Sequence, residues 1–209
     1  MIGRPAAIAL LALAMAPWGS AAAARRACAK PHGYVVEVKT RYAVVYTQRR
    51  GEGAYGCLFS RGQLVPLYDS VGAWTLAGRY VAFAQVSYYP DGTVYYLFTV
   101  VDLRRSAWHL IWPMYELVDG GSGDGEDWAF VTDVVLRKNG SAAWISCRPL
   151  TASNHDCRGA DEPTEVWRSD TRGRKRLDAS TDVGLRSLKR KGSTITWRHG
   201  SKARTAQLR

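Results

Sequence analysis

Four carboxylates crowd into the ten-residue segment DGGSGDGEDW, residues 119–128: Asp119, Asp124, Glu126 and Asp127. Carboxylate oxygens are the ligands that calcium prefers, and the glycines between them allow a backbone to wrap an ion, so the segment is a candidate calcium loop. Its order is not that of an EF-hand, which alternates its ligands and ends in a glutamate at the twelfth position. A solvated glycine-rich loop explains the same composition without a ligand. Just before it, WHLIWPMYELV sets Trp108, Trp112 and Tyr115 close together. Large rings that carry one polar atom suit a sugar or protein contact surface. Calcium is the one cofactor these residues suggest.

Other chemistry finds less support. The chain holds no G-x-S-x-G elbow, no H-E-x-x-H and no Walker-type glycine loop. Its histidines, His32, His109, His155 and His199, stand singly, and His155 with Asp156 falls between two cysteines in a segment that reads as surface. A non-catalytic binding or interaction module is therefore the expected function. The alternatives are an extracellular hydrolase-type enzyme whose site is assembled from distant residues, and a structural component of the cell envelope. If the chain is an enzyme, its acidic residues or His109 should titrate abnormally and converge in one cleft.

The charge is lopsided: 29 Lys and Arg against 18 Asp and Glu give a formal net charge of +11. Both ends of the chain are basic and the middle is acidic. The stretch from Arg172 to Arg209 could hold an anionic cell-surface polymer by electrostatics. A nucleic-acid partner is not expected, because the charges fall in turns and no base-stacking aromatic series accompanies them. An unknown protein or a cell-surface polymer remains the expected partner, with the oligomeric state open.

The N-terminus supplies the compartment. Arg4 precedes an uncharged apolar run from Pro5 to about Trp18, followed by small residues. The run is shorter than the roughly 18 to 20 residues that cross a bilayer, so residues 1–24 read as a secretory signal peptide cut after Ala24. No later segment is long and apolar enough to span a membrane. Residues 25–209 then form a single secreted or envelope-exterior domain. Its four cysteines, Cys28, Cys57, Cys147 and Cys157, lack zinc spacing and read as two disulfides. Of the three pairings, Cys28–Cys57 with Cys147–Cys157 is favoured because each closes a local loop.

The elements that must position these groups are strands. Glycine punctuates short runs rich in Val, Tyr, Trp and Thr, and no stretch after the signal carries helical apolar spacing, so the chain is all-β. Four strands look alike: VVYTQ from Val44, VAFAQ from Val81, AAWIS from Ala142 and TITWR from Thr194, the last with its ring one residue later. Their rings, Tyr46, Phe83, Trp144 and Trp197, are expected to pack between neighbouring sheets. After the first three strands come a second strand, a polar turn (SRGQ, RRS or TRGR) and a third strand, so each unit is an antiparallel meander. Asn139-Gly140 is a strong hairpin signal, and the Asn-Gly-Ser sequon it forms reads as a turn.

The third unit, VTDVVLRKNGSAAWIS with TEVWRSDTRGRKRLD, resembles the repeat of TolB-type β-propellers. Both show a strand, a turn ending in glycine, an aromatic-bearing strand, a strand ending in Asp, a glycine turn and a closing Arg-Leu. Asn139-Gly140 stands where those repeats carry Asp-Gly. The second and fourth units match in part, and the first lacks the opening hairpin. The resemblance implies a small or incomplete β-propeller of about four blades, with a β-sandwich as the alternative. It implies no particular activity, because propellers host unrelated functions. Tyr34 to Thr40 is the candidate strand to complete the short last blade.

Overall fold

The four related strands are the second strands of four successive antiparallel sheets. The computed structural model of the chain describes residues 28–48, 53–67, 73–88, 94–105, 115–116, 130–147, 157 and 163–209. The expected signal peptide, Trp108, Trp112 and all four calcium-loop carboxylates lie outside them. The first sheet is β1 (Tyr34–Lys39), β2 (Ala43–Gln48), β3 (Ala54–Leu58) and β4 (Leu64–Leu67). The second is β5 (Thr75–Ala77), β6 (Tyr80–Tyr88), β7 (Val94–Asp102) and β8 (Tyr115–Glu116). The third is β9 (Phe130–Leu136), β10 (Ala142–Cys147), β11 (Thr164–Asp170) and β12 (Gly173–Ser180). The fourth has three strands, β13 (Lys189–Lys191), β14 (Thr194–His199) and β15 (Lys202–Gln207). Every pairing is between chain neighbours, and no helix occurs among the described residues.

Period-two alternation stacks these sheets in chain order. On β6, Val81 and Phe83 face the first sheet, packing with Ala43, Val45 and Leu67, while Tyr80 and Ala82 face the third, packing with Leu136 and Trp144. On β10, Ala142 and Trp144 look back to the second sheet, and Ala143 and Ile145 look forward to Ile195 and Trp197 of the fourth. Strands β6 and β10 are thus packed on both faces, unlike the strands of a two-sheet sandwich. Phe83, Trp144 and Trp197 all face the preceding sheet, and Tyr46 faces the segment that carries Cys28. This face assignment explains the displaced ring of the last repeat. Ile195 and Trp197 align with Val81 and Phe83 by the side they bury, one residue out of step with an alignment that sets Thr194 against Val81. A one-residue shift would turn them to solvent.

Two sequence expectations are corrected. The first unit has its opening hairpin, because β1 pairs with β2, and β1 therefore does not complete the fourth sheet. A tight local connection favours this: the Thr40 N–H donates to the Ala43 carbonyl at 2.9 Å, and Thr40 Oγ1 accepts the N–H groups of Tyr42 and Ala43 at 3.2 Å each. A register shift between Val36 and Val38 leaves Val36 51% exposed beside Tyr46 and turns Val38 to the second sheet. In the second sheet, β8 begins at Tyr115, beyond the RRS turn.

The turns follow their residues. At the β9–β10 turn, Arg137 N–H donates to Ser141 O at 2.8 Å, and Gly140 takes φ +91°, which a side chain would resist. Disulfides join Cys28 to Cys57 and Cys147 to Cys157. The first ties the segment before β1 to β3, against Val44 and Tyr46.

Candidate functional site

Three kinds of polar construction lie between the sheets. The first is an aspartate corner at the end of a third strand. Asp102, ending β7, has a buried carboxylate that accepts from Arg79 Nε at 2.9 Å, from the Arg104 backbone N–H at 3.0 Å and from the Arg104 guanidinium at 3.1 Å. Asp170, ending β11, repeats the plan. It accepts from the Arg172 backbone N–H at 3.0 Å and its guanidinium at 2.7 Å, from Arg168, and from the Arg209 backbone N–H at 3.0 Å. The shared signal is Asp-x-Arg, in VVDLRR and RSDTRG, and spacing could have revealed it. Burial pushes the Asp102 carboxyl up. The Arg104 hydrogen bonds and the charges of Arg79 and Arg104 outweigh that and hold it below the ordinary carboxylate range.

The second is a cross-sheet cluster. Asp178 of β12 accepts from Trp197 Nε1 at 2.7 Å, contacts His199 Nδ1 at 3.0 Å and lies 3.6 Å from Arg204 Nη1. Burial raises its carboxyl, but the Trp197 and His199 hydrogen bonds, with the charge of Arg204, bring it below the usual value. A histidine held by an aspartate is half of a nucleophile-activating arrangement. Among the described residues, however, no hydroxyl or thiol is hydrogen-bonded to His199, and the cluster fastens β12 to the middle strand of the next sheet. Asp133 of β9 belongs to a third junction. Its Oδ2 accepts the Leu188 N–H at 2.8 Å, and burial pushes its carboxyl above the ordinary range despite that bond. Among the described residues, the shifted carboxyls have separate partners: Asp102 is held within the second sheet, and Asp133 and Asp178 tie different strands of the third sheet to the fourth.

The third construction is a cavity of about 730 Å³ to which the opening hairpins of all four sheets contribute. The β1–β2 turn gives Thr40, Arg41 and Tyr42; β5 and its turn give Thr75 through Gly78; β9 and its turn give Val134, Val135, Leu136 and Lys138; β13 gives Lys189 and Arg190, with Leu188 before it. The rim is tied across sheets. The Arg41 guanidinium lies 4.7 Å from the Tyr42 ring centre, and the Lys138 ammonium lies 5.6 Å from the same ring. Lys138 reaches it by passing Gly78, where an added Cβ would sit 3.4 Å from Lys138 Cγ and where φ is +65°. The floor is apolar, built from Leu76, Val134, Leu136 and Leu188.

Sequence reasoning did not find this cavity, since its walls come from four turns spread over most of the chain. A partial signal is the dipeptide Arg-Tyr, at Arg41-Tyr42 and at Arg79-Tyr80. The two differ by one residue in register, so Tyr42 stands at the cavity mouth while Tyr80 is buried between sheets. Of the sequence-derived candidates, Tyr115 falls on β8, paired with Phe98. Trp108, Trp112, Asp119, Asp124, Glu126 and Asp127 fall outside the described residues. Among the described residues, no three His, Cys, Asp or Glu side chains group as metal ligands, and no helix is long and apolar enough to cross a membrane. No protein-family model, curated protein or solved structure matches the chain.

Proposed function

We propose that the chain is a secreted, non-catalytic binding module in which four meanders form a small, incomplete propeller around a ligand cavity. The observation that carries this reading is that every sheet contributes its opening hairpin to one cavity. Sheets stacked as parallel slabs would keep the first and third apart by the thickness of the second. The approach of Lys138 to Tyr42 across the second sheet's turn instead favours sheets that converge at one end, as blades do. The TolB-like repeat of the third unit supports the same architecture. The ring is incomplete in this reading, because the outer face of the fourth sheet offers Lys189, Lys191, Thr194, Thr196 and Arg198 where a blade would need apolar residues. Two disulfides favour an oxidising, extracytoplasmic setting.

The test is thermal unfolding of residues 25–209 with a panel of cell-wall glycans, small organic anions, anionic polymers and calcium, in parallel with Thr75→Trp, which fills the cavity from β5. A ligand of the folded form raises the midpoint with concentration. The expected result is a shift in the parent protein that Thr75→Trp abolishes, with the ligand recovered unchanged. A shift equal in both proteins would place binding elsewhere, and a chemically altered ligand would make the protein an enzyme; either result refutes the reading.

A further inference from the structure

Among the described residues, nothing neutralises the cavity's charge. Arg41 from the first sheet, Lys138 from the third and Arg190 from the fourth line it, and no described carboxylate does; Lys189 also borders it, but its pairing with Thr196 puts its side chain on the outer face. Elsewhere the chain pairs its arginines: Arg79 and Arg104 with Asp102, Arg168 and Arg172 with Asp170, Arg176 with Glu165, and Arg204 with Asp178. Among the described residues, none of these three cavity cations is ion-paired. Arg41 and Lys138 rest against the Tyr42 ring face, a contact that uses none of their N–H donors. Asp133 is next to Val134 in the chain, yet its carboxylate is turned to the Leu188 N–H.

Bringing three like charges to one concave surface costs free energy that a bound anion would offset. The charges come from three different sheets, so a ligand with a single negative group cannot meet them all. Two of the three are arginines, whose planar forks match phosphate oxygens, and the lysine serves phosphate as a point charge. The second sheet adds Thr75 and Gly78 to the lining, with the Gly78 backbone packed against the Lys138 side chain.

We infer that this cavity binds an anion carrying two or more phosphate groups, either free or as part of a phosphate-rich cell-surface polymer; the inference rests on the binding-module reading and specifies its ligand. A cavity of this size accommodates a small organic anion or a short length of polymer.

The experiment is calorimetric titration of residues 25–209 with inorganic tripolyphosphate and with long-chain polyphosphate. The variants are Arg41→Gln, Lys138→Gln, Thr75→Trp and a control, Lys175→Gln with Lys202→Gln, which removes two exposed cations outside the cavity. Circular dichroism and the unfolding midpoint check that each is folded. Loss of about tenfold in affinity for each cavity cation, the scale of one charge-assisted hydrogen bond, with the control within about twofold, supports the inference. Tight binding of tripolyphosphate assigns a free ligand, and binding of the long chain alone, with the same variant pattern, assigns the polymer. An equal loss in the control would reduce the effect to diffuse surface charge and overturn the inference. If neither probe binds while a neutral glycan gives a Thr75-dependent thermal shift, the inference falls and the binding module stands. Cation-dependent binding that survives Thr75→Trp would overturn the cavity reading itself.

Discussion

The backbone N–H of Arg209 donates to Asp170 Oδ2 at 3.0 Å, fastening the segment after β15 to a carboxylate that ends a strand of the preceding sheet. The fastening is reciprocal. The Arg172 guanidinium, which also holds Asp170, donates to the Gln207 carbonyl at 3.0 Å, and Arg137 donates to the Leu208 carbonyl. Leu208, fully buried between them, completes the apolar layer with Ile195 and Trp197. The fourth sheet has only three strands, so these polar ties do what a fourth strand would otherwise do at its edge.

Asp170→Ala should therefore destabilise the fold more than Asp102→Ala. The Asp170 carboxylate is completely buried and its partner Arg168 has a side chain only 11% exposed, so its removal leaves a buried cation unpaired, at a cost of about 3–5 kcal/mol. The partners of Asp102, Arg79 and Arg104, are 34% and 43% exposed and can regain water, which limits the loss to roughly 1–3 kcal/mol. Urea titration of both variants measures the difference. Equal losses would show that the Arg209 fastening contributes nothing of its own.

Gly140 and Gly192 provide a controlled pair. Both have positive φ, +91° and +62°, so alanine at either costs backbone strain of about 1–2 kcal/mol. At Gly192 the new methyl meets nothing within 4 Å, whereas at Gly140 it lies 3.1 Å from Tyr80 Cε1, inside the layer between the second and third sheets. Gly140→Ala should lose the larger share of stability by at least about 1 kcal/mol, since overpacking adds to strain. Matching urea midpoints for the two variants would contradict the close packing of Tyr80 on the β9–β10 turn.

The strands were legible in the sequence because short apolar runs, glycine turns and one ring per unit all agree on the same period. The four related strands and the Asn139-Gly140 turn therefore lie where pattern reading puts them. What pattern could not reveal depends on which side of a sheet a residue takes. The bulge in β1 reverses the faces of Val36 and Val38, and the offset between Tyr42 and Tyr80 puts one ring at a cavity and the other in the core. The cavity is illegible for a second reason. Arg41 and Lys138 belong to separate turns and Arg190 to a short charged strand, each of which reads alone as an ordinary solvated segment, and only the stacking of the sheets brings them together.

Removing the disulfides should be unequal in effect. The Cys28–Cys57 link closes a sequence separation of 29 residues and is packed with Val44 and Tyr46, while Cys147–Cys157 spans 10. Loop entropy alone predicts about 3–4 kcal/mol for the longer loop and somewhat less for the shorter. All four cysteines are buried, so serine adds two buried hydroxyls in either double variant and the gap rests on loop length. Guanidinium unfolding of the two double variants decides it, and a larger loss for Cys147→Ser with Cys157→Ser would assign the shorter loop a role beyond chain closure.

The acid limb of stability should separate Asp178 from Asp133. The folded-state pKa of Asp178 is lowered from 3.8, so in the interval below that value the unfolded chain binds the extra proton. Its contribution is present above the unfolded pKa and lost as pH falls through the folded one. Asp178→Asn should then flatten the decline of the urea midpoint below about pH 4. Asp133 has the opposite sign: its pKa is raised, the folded state holds the proton longer, and its charged form weakens the fold once pH exceeds that raised value. Asparagine keeps an acceptor for the Leu188 N–H while removing the buried charge, so Asp133→Asn should equal or exceed the parent in stability at neutral pH and lose that advantage below about pH 4. A neutral-pH loss in Asp133→Asn would mean that the negative charge itself, attracted to Arg186, holds the third sheet to the segment before β13, and the junction would then be ionic in origin.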